Sequence, residues 1–235
     1  MKKTSTQAVP LRLTQLAVAL GLAFAMPAVM AMSGSLYGEK QGSNYVISVG
    51  KDGKVVTGKS GSYTGESAAG QDVNDFISLI GRDGTDTGDD SLETATGGKV
   101  TIKGGSIDGA VYGGASYKGA VKNNVEISNA TIKDDRSSGN VYGGFAIRSD
   151  ATGNEVTVDK ATIDGDVYGG FVTVRAMVRQ AASLGSGGST DAQALKASGN
   201  TVTIDGTKKK VTIDGNVYGG LSADATEVYK RGCPR

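Results

Sequence analysis

Gly109-Ala110-Val111-Tyr112-Gly113-Gly114 is followed by Gly139-Asn140-Val141-Tyr142-Gly143-Gly144, Gly165-Asp166-Val167-Tyr168-Gly169-Gly170 and Gly215-Asn216-Val217-Tyr218-Gly219-Gly220. A hexapeptide with one variable position recurs four times, which marks an internal repeat. Ahead of each copy lies an alternating stretch: Val100-Thr101-Ile102, Val125-Glu126-Ile127, Val156-Thr157-Val158 and Val202-Thr203-Ile204. A second stretch ends at Ile107, Ile132, Ile163 and Ile213. Such alternation puts branched side chains on one face of a strand and the polar residue on the other.

Successive first valines are 25, 31 and 46 residues apart, and the excess sits in polar or Gly/Ser-rich insertions, the largest from Val172 to Lys196. A constant strand set with insertions confined to turns is how a solenoid grows, because one coil cannot bury its apolar face until another stacks on it. The pattern predicts an all-β, right-handed parallel β-helix with three short strands per coil, an N-terminal cap and one long inserted loop or helical excursion. Its boundaries are a leader at 1–31, a cap region at 32–97, repeats at 98–222 with the insertion at 172–197, and an unstructured tail at 223–235.

Within the repeat, three residue sets stand out. The paired glycines Gly113, Gly114, Gly143, Gly144, Gly169, Gly170, Gly219 and Gly220 suggest sharp corners with positive φ. Asn124, Asn154 and Asn200 precede the first strand in copies two to four and suggest a stacked amide ladder. Alternation places Tyr112, Tyr142, Tyr168 and Tyr218 outside as a stripe. That stripe is either an aromatic ladder shielding the sheet, the favoured reading, or a stacking platform for a glycan or another extended partner.

Before the repeat, Leu36-Tyr37-Gly38 looks like a decayed copy, Tyr45–Val49 reads as a strand, and Lys51-Asp52-Gly53-Lys54 as a hairpin turn into Val55-Val56. Asp72 opens a short helical pattern carrying Val73, Phe76, Ile77 and Ile80, stopped by Gly81. In the long insertion, Thr173 to Leu184 reads as a helix and is the best candidate for an element that contacts a partner.

Composition removes several function classes. Lys2, Lys3 and Arg12 followed by an apolar run from Leu16 to Phe24 and small residues up to Ala31 read as a cleavable export signal, the alternative being a retained anchor. Without residues 1–31 the chain carries 22 basic and 24 acidic side chains, a charge of −2 that gives no footing for nucleic acid. The densest basic run, Lys208-Lys209-Lys210, reads as a solvated turn. Thirty-seven glycines without a Gly-x-y period exclude collagen. Cys233 is the only cysteine, so no internal disulfide exists, and with no histidine in the chain it is a poor nucleophile candidate.

Asp83, Asp86, Asp89 and Asp90 read as a solvated acidic loop rather than a calcium site, since no EF-hand or nonapeptide pattern is present. Asp108, Asp164 and Asp214 recur just before the hexapeptide, which fits a turn role better than a single catalytic pair. No catalytic residue, cofactor site or metal site is assigned; a polysaccharide-acting β-helix enzyme is the main rival class.

Behind its leader, the combination of Asn-x-Val-Thr-Ile and Gly-x-Val-Tyr-Gly-Gly resembles the passenger region of bacterial autotransporters and related large surface proteins of Gram-negative bacteria over residues 98–222. That resemblance implies export, passage through a C-terminal outer-membrane barrel and display of a β-helical stalk or adhesin, with a glycan or a host or bacterial surface as partner. No stretch after Gly220 has the length for a barrel. The barrel is therefore expected in trans or missing, and a truncated fragment without function is a further alternative.

Overall fold

A computed structural model describes residues 34–84, 93–133, 139–147, 149–173, 195–207 and 210–223. These build a right-handed parallel β-helix of four coils. Each coil has four walls rather than the three expected. Wall two holds the strands Gly98–Ile102, Asn124–Ser128, Glu155–Asp159 and Thr201–Asp205, and wall three Ser106–Asp108, Thr131–Lys133, Thr162–Ile163 and Thr212–Ile213. Wall four holds Ala110–Ser116, Val141–Ile147, Val167–Thr173 and Val217–Ala223. The missed wall is Ala95–Thr96, Ala120–Val121, Ala151–Thr152 and Ala197–Ser198. Its strands have two residues and tuck a single alanine inward, too short to show any alternation.

Coils stack parallel and in zero register, so equivalent residues become neighbours. Val100, Val125, Val156 and Val202 form one column, and Ile102, Ile127, Val158 and Ile204 a second. Ile107, Ile132, Ile163 and Ile213 form a third, and Val111, Val141, Val167 and Val217 a fourth. The members from the first three coils are all at most 1% exposed. At about 1.5–3 kcal/mol per buried side chain, these columns are the main drive for folding.

The N-terminal end continues the stack and then closes it. Ser35–Tyr37 lies parallel to Ser78–Asp83, which lies parallel to Ala110–Ser116. Leu36 and Leu79 thereby extend the Val111 column, fully buried, and Leu36-Tyr37-Gly38 is a worn copy of Val-Tyr-Gly. Antiparallel strands then finish two walls: Lys59–Ser60 on Ser35–Tyr37, and Glu39–Gln41 and Val55–Thr57 on Asn44–Val49. The turn between Asn44–Val49 and Val55–Thr57 is closed by Gly50 N–H donating to the Lys54 carbonyl at 2.8 Å.

Two expectations fail here. The helix from Asp72 shrinks to the 3-10 turn Val73–Asp75, and Ile80 and Gly81 belong to the strand Ser78–Asp83. Pairing on both sides of that strand, with Leu79 dropped into the core, outweighs the helical spacing of its apolar residues. The hexapeptide glycines are not corners with positive φ: Gly113, Gly114, Gly143, Gly144, Gly169, Gly170, Gly219 and Gly220 lie inside the wall-four strands, and none has positive φ. All but Gly219, which sits in the last coil with a nearest atom at 3.7 Å, are glycines for want of room. A Cβ on Gly113 would strike the Gly143 carbonyl oxygen below it, and one on Gly114 would occupy the space of the Asn123 amide. Pairing skips Gly113, Gly143 and Gly169 while their neighbours stay in register.

Candidate functional site

The Gly-Gly pairs of wall four face the junction between the short alanine wall and wall two, where the chain places Asn123, Asn154 and Asn200. Asn154 Oδ1 accepts the Asn123 backbone N–H at 3.1 Å and the Asn123 amide at 2.9 Å. The Asn154 amide nitrogen donates to the Ala120 carbonyl at 2.8 Å and to Asn200 Oδ1 at 2.9 Å. Two donors and two acceptor positions are thus all used, which lets a side chain only 1% exposed sit in an apolar core. At the top of the ladder Gly98 N–H takes the place of an asparagine and donates to Asn123 Oδ1 at 2.8 Å.

Asn124 is therefore not a rung. It is the first residue of the wall-two strand, in register with Lys99 and Glu155 on the outer face, and its Oδ1 has no hydrogen-bond partner among the described residues. The rungs stand two residues before the first valine of each coil, and that count applied to Val125 lands on Asn123. Asn124, expected as the rung of the second coil, stands one residue too close to Val125.

Outside wall four, the tyrosines make a stack. Tyr112 and Tyr142 lie 4.9 Å apart at 4°, Tyr142 and Tyr168 5.0 Å at 4°, and Tyr168 and Tyr218 5.1 Å at 7°. A second row, Phe145 over Phe171 at 5.5 Å, packs edge-on against it. Tyr142 and Tyr168 are consequently 9% and 7% exposed although they point away from the core. The phenylalanines went unread in the sequence because Ala115 and Leu221 replace them in the outer coils.

The nominally variable position of the hexapeptide carries a third ladder. Asn140 Oδ1 accepts Asp166 N–H at 2.7 Å, and Asp166 Oδ1 accepts Asn216 N–H at 2.6 Å. Both residues also hold tyrosines: the Asn140 amide donates to the Tyr142 hydroxyl at 3.0 Å, and the Tyr168 hydroxyl donates to Asp166 Oδ2 at 2.6 Å. Three of the four copies carry Asn or Asp there, which was the available signal. Burial pushes the Asp166 carboxyl up, but the Asn216 N–H, the Tyr168 hydroxyl and the Asn216 amide together bring it below the ordinary carboxylate value. Burial first, then the hydrogen bond to Asp166 and its charge, raise Tyr168 well above a free phenol. Burial also raises Tyr142, against the opposing Asn140 bond.

In the cap, Arg82 occupies the register position of Gly114 and is 7% exposed. Its guanidinium lies 4.0 Å from the Tyr45 ring centroid and donates to Glu93 Oε2 at 2.6 Å. The Tyr63 hydroxyl receives Asp83 N–H, which ties the loop after Lys59–Ser60 onto the same corner.

The recurrent aspartates Asp108, Asp164 and Asp214 fall in three different coils rather than gathering. Asp108 is in register with Lys133, and Asp164 Oδ1 accepts Gly139 N–H at 2.9 Å, a turn contact. Among the described residues no group of three or more His, Cys, Asp or Glu stands close enough to hold a metal, and no helix is long and apolar enough to cross a membrane. The leader, Asp86, Asp89, Asp90, residues 134–138, the helical reading of Thr173 to Leu184 beyond Thr173, Lys208, Lys209 and Cys233 lie outside the described residues.

Zero-register stacking, an interior amide ladder and an exterior ring stack define the class: a ladder-stabilised β-solenoid scaffold. No protein-family model, curated protein or solved structure matches this chain.

Proposed function

We propose that this chain is an exported β-solenoid that serves at the cell surface, or after release, as a stalk segment with an adhesive role secondary to it. The supporting observation is that every residue type singled out by the repeat is spent on coil-to-coil contact: glycine on clearance, asparagine on the ladder, tyrosine on its own stack. A scaffold of this kind lengthens by adding coils and tolerates insertions at its turns. Export rests on the leader pattern at residues 1–31 and surface display on the resemblance to autotransporter passengers.

The stalk reading is favoured over a glycan platform because both ring faces of Tyr142 and Tyr168 are covered by neighbouring tyrosines. A sugar stacks on a ring face. The test is to produce the tagged full chain in a Gram-negative host and follow processing, protease access on intact cells and binding to glycan arrays. Loss of the leader with the chain outside the inner membrane is expected; an unprocessed cytoplasmic chain overturns the proposal. Glycan binding abolished by replacing the four stripe tyrosines with serine, with the fold retained by circular dichroism, would reverse the preference for the stalk.

A further inference from the structure

Most asparagines of the repeat are taken up by coil-to-coil contacts, and Asn129 is not. Asn123, Asn154 and Asn200 form the interior ladder, while Asn140 and Asn216 belong to the ladder outside wall four. Asn129 stands exposed at the corner between walls two and three. Its backbone N–H donates to the Asp159 carbonyl at 3.3 Å, and its side-chain amide meets no partner among the described residues. It is also the one asparagine in the sequence with serine or threonine two residues later, in Asn129-Ala130-Thr131. Asn-x-Ser/Thr is the acceptor pattern for N-linked sugar, a modification of exposed turns.

The repeat separates the two halves of this pattern. Ser106, Thr131, Thr162 and Thr212 lie in register along wall three, so the hydroxyl is common to all four coils. Two residues before them stand Gly104, Asn129, Lys160 and Lys210, so the amide is peculiar to the second coil. Backbone shape does not demand it. Asn129 has φ 51°, in the left-handed region that favours asparagine and glycine, yet Lys160 holds φ 50° at the equivalent place. Stacking does not demand it either, since the side chain bonds to no neighbouring coil among the described residues.

Room for a sugar lies beside the amide. Asn129, Thr131, Lys160, Thr162 and Lys210 line an open groove of about 450 Å³ on the outside of this corner, within the range of roughly 300–1,000 Å³ that small-molecule sites span. Asn129 and the hydroxyl-bearing Thr131 border the same groove, and the two lysines and Thr162 supply hydrogen-bond donors for sugar oxygens. We infer that the folded chain presents Asn129 as an acceptor for N-linked glycosylation, with Thr131 as the hydroxyl the transferring enzyme reads. Transfer forms a bond between Asn129 Nδ2 and the anomeric carbon of a sugar, and breaks that carbon's bond to the phosphate oxygen of an activated donor. The amide gives up one proton, the phosphate-bearing group leaves with the bonding pair, and nothing is oxidised or reduced. The catalyst is a glycosyltransferase, and the donor a glycosyl phosphate, nucleotide-linked or lipid-linked. The attached sugar projects from a corner, clear of the core columns, so the site stands independently of the stalk reading.

For the test, the purified full chain is incubated with a soluble asparagine glucosyltransferase and UDP-glucose, and in a second arm with membranes holding an oligosaccharyltransferase and its lipid-linked oligosaccharide. A free peptide copying residues 128–133 calibrates each arm, and mass spectrometry of the intact chain and its fragments reads the product. Transfer of one glycan to Asn129 is expected, and the arm in which it occurs identifies the donor. Asn129→Gln and Thr131→Val should each abolish transfer while circular dichroism stays that of the parent. Lys160→Asn, which completes the same pattern at the equivalent corner of the third coil, should add a second glycan at position 160. A peptide refused in both arms, a folded chain refused where the peptide is accepted, transfer to another residue, transfer indifferent to Thr131→Val, or a Lys160→Asn chain that still carries one glycan would each overturn the inference.

Discussion

Asn154 donates its side-chain amide to the side-chain oxygen of Asn200 at 2.9 Å, joining residues 46 apart in sequence through the long insertion. The contact makes coil stacking a matter of specific recognition rather than of apolar collapse alone. Valine columns by themselves tolerate slips, whereas a buried amide ladder leaves unpaired polar groups wherever register is lost.

Asn154→Ala should accordingly be costly. It strips partners from the Asn123 N–H and amide and from the Ala120 carbonyl, while the Asn200 oxygen keeps only the Asn154 backbone N–H, and buried orphans cost about 1–3 kcal/mol each. A loss of at least about 3 kcal/mol is expected in denaturant unfolding. Asn124→Ala, one residue away from the Asn123 rung, should stay within about 0.5 kcal/mol of the parent. Equal effects at Asn123 and Asn124 would contradict the ladder as placed.

The glycine pairs give a graded test. Gly113→Val places its side chain against the Gly143 carbonyl, Val125 and Asn123, and should destabilise by more than about 3 kcal/mol, the upper range for overpacking. Gly219, in the same repeat position at the open end, has only the Asn200 carbonyl oxygen at 3.7 Å from a built Cβ. Gly219→Ala should cost less than about 1 kcal/mol, near the effect of a tolerated glycine replacement. Comparable melting points for both variants would disprove clearance as the reason for the motif.

Much of this was legible in sequence and some was not, for identifiable reasons. Val100, Ile102, Ile107 and Val111 announced the columns because spacing and residue type repeat together. Ala151-Thr152 did not announce a wall, since a two-residue strand has no period. The glycines were visible but misread: a glycine demanded by a neighbour's side chain looks the same in sequence as one demanded by φ. Asn140, Asp166 and Asn216 were hidden by treating a position that alternates between two chemically related residues as free. Phe145 and Phe171 span only two coils, too few to register as a repeat.

Titration should expose the ring stack. Tyr168 has its folded-state pKa raised by burial and by Asp166, so the neutral phenol is the form the fold prefers. Its contribution is complete below the free-tyrosine value of about 10 and is lost as pH rises through the higher folded value. Tyrosinate absorbance should reveal a class of rings that ionise only as the solenoid unfolds in alkali. Tyr168→Phe should shrink that class. Rings that all titrate as free tyrosine with the fold intact would refute it.

The acid side runs the other way. Asp166 has a lowered folded-state pKa, so its contribution is present above the unfolded carboxylate value of about 4 and fades as pH falls through the folded one. Asp166→Asn keeps the ladder oxygen for Asn216 N–H but removes the charge. Its stability relative to the parent should improve on acidification, measured as the difference in melting temperature between neutral and acidic buffer; a constant difference would speak against a charged rung.

In-register cysteine pairing on the outer face of wall two reads the stacking itself. In a Cys233→Ser background, Glu126→Cys with Thr157→Cys joins residues that face each other across adjacent parallel strands, with Cα atoms about 4.8 Å apart and within disulfide reach. Glu126→Cys with Asp159→Cys is displaced by two residues, about 8 Å, and lies beyond it. An intramolecular disulfide in the first pair and none in the second is the expected result. The reverse pattern, or cross-links that form only between molecules, would contradict a solenoid of coils stacked without slip.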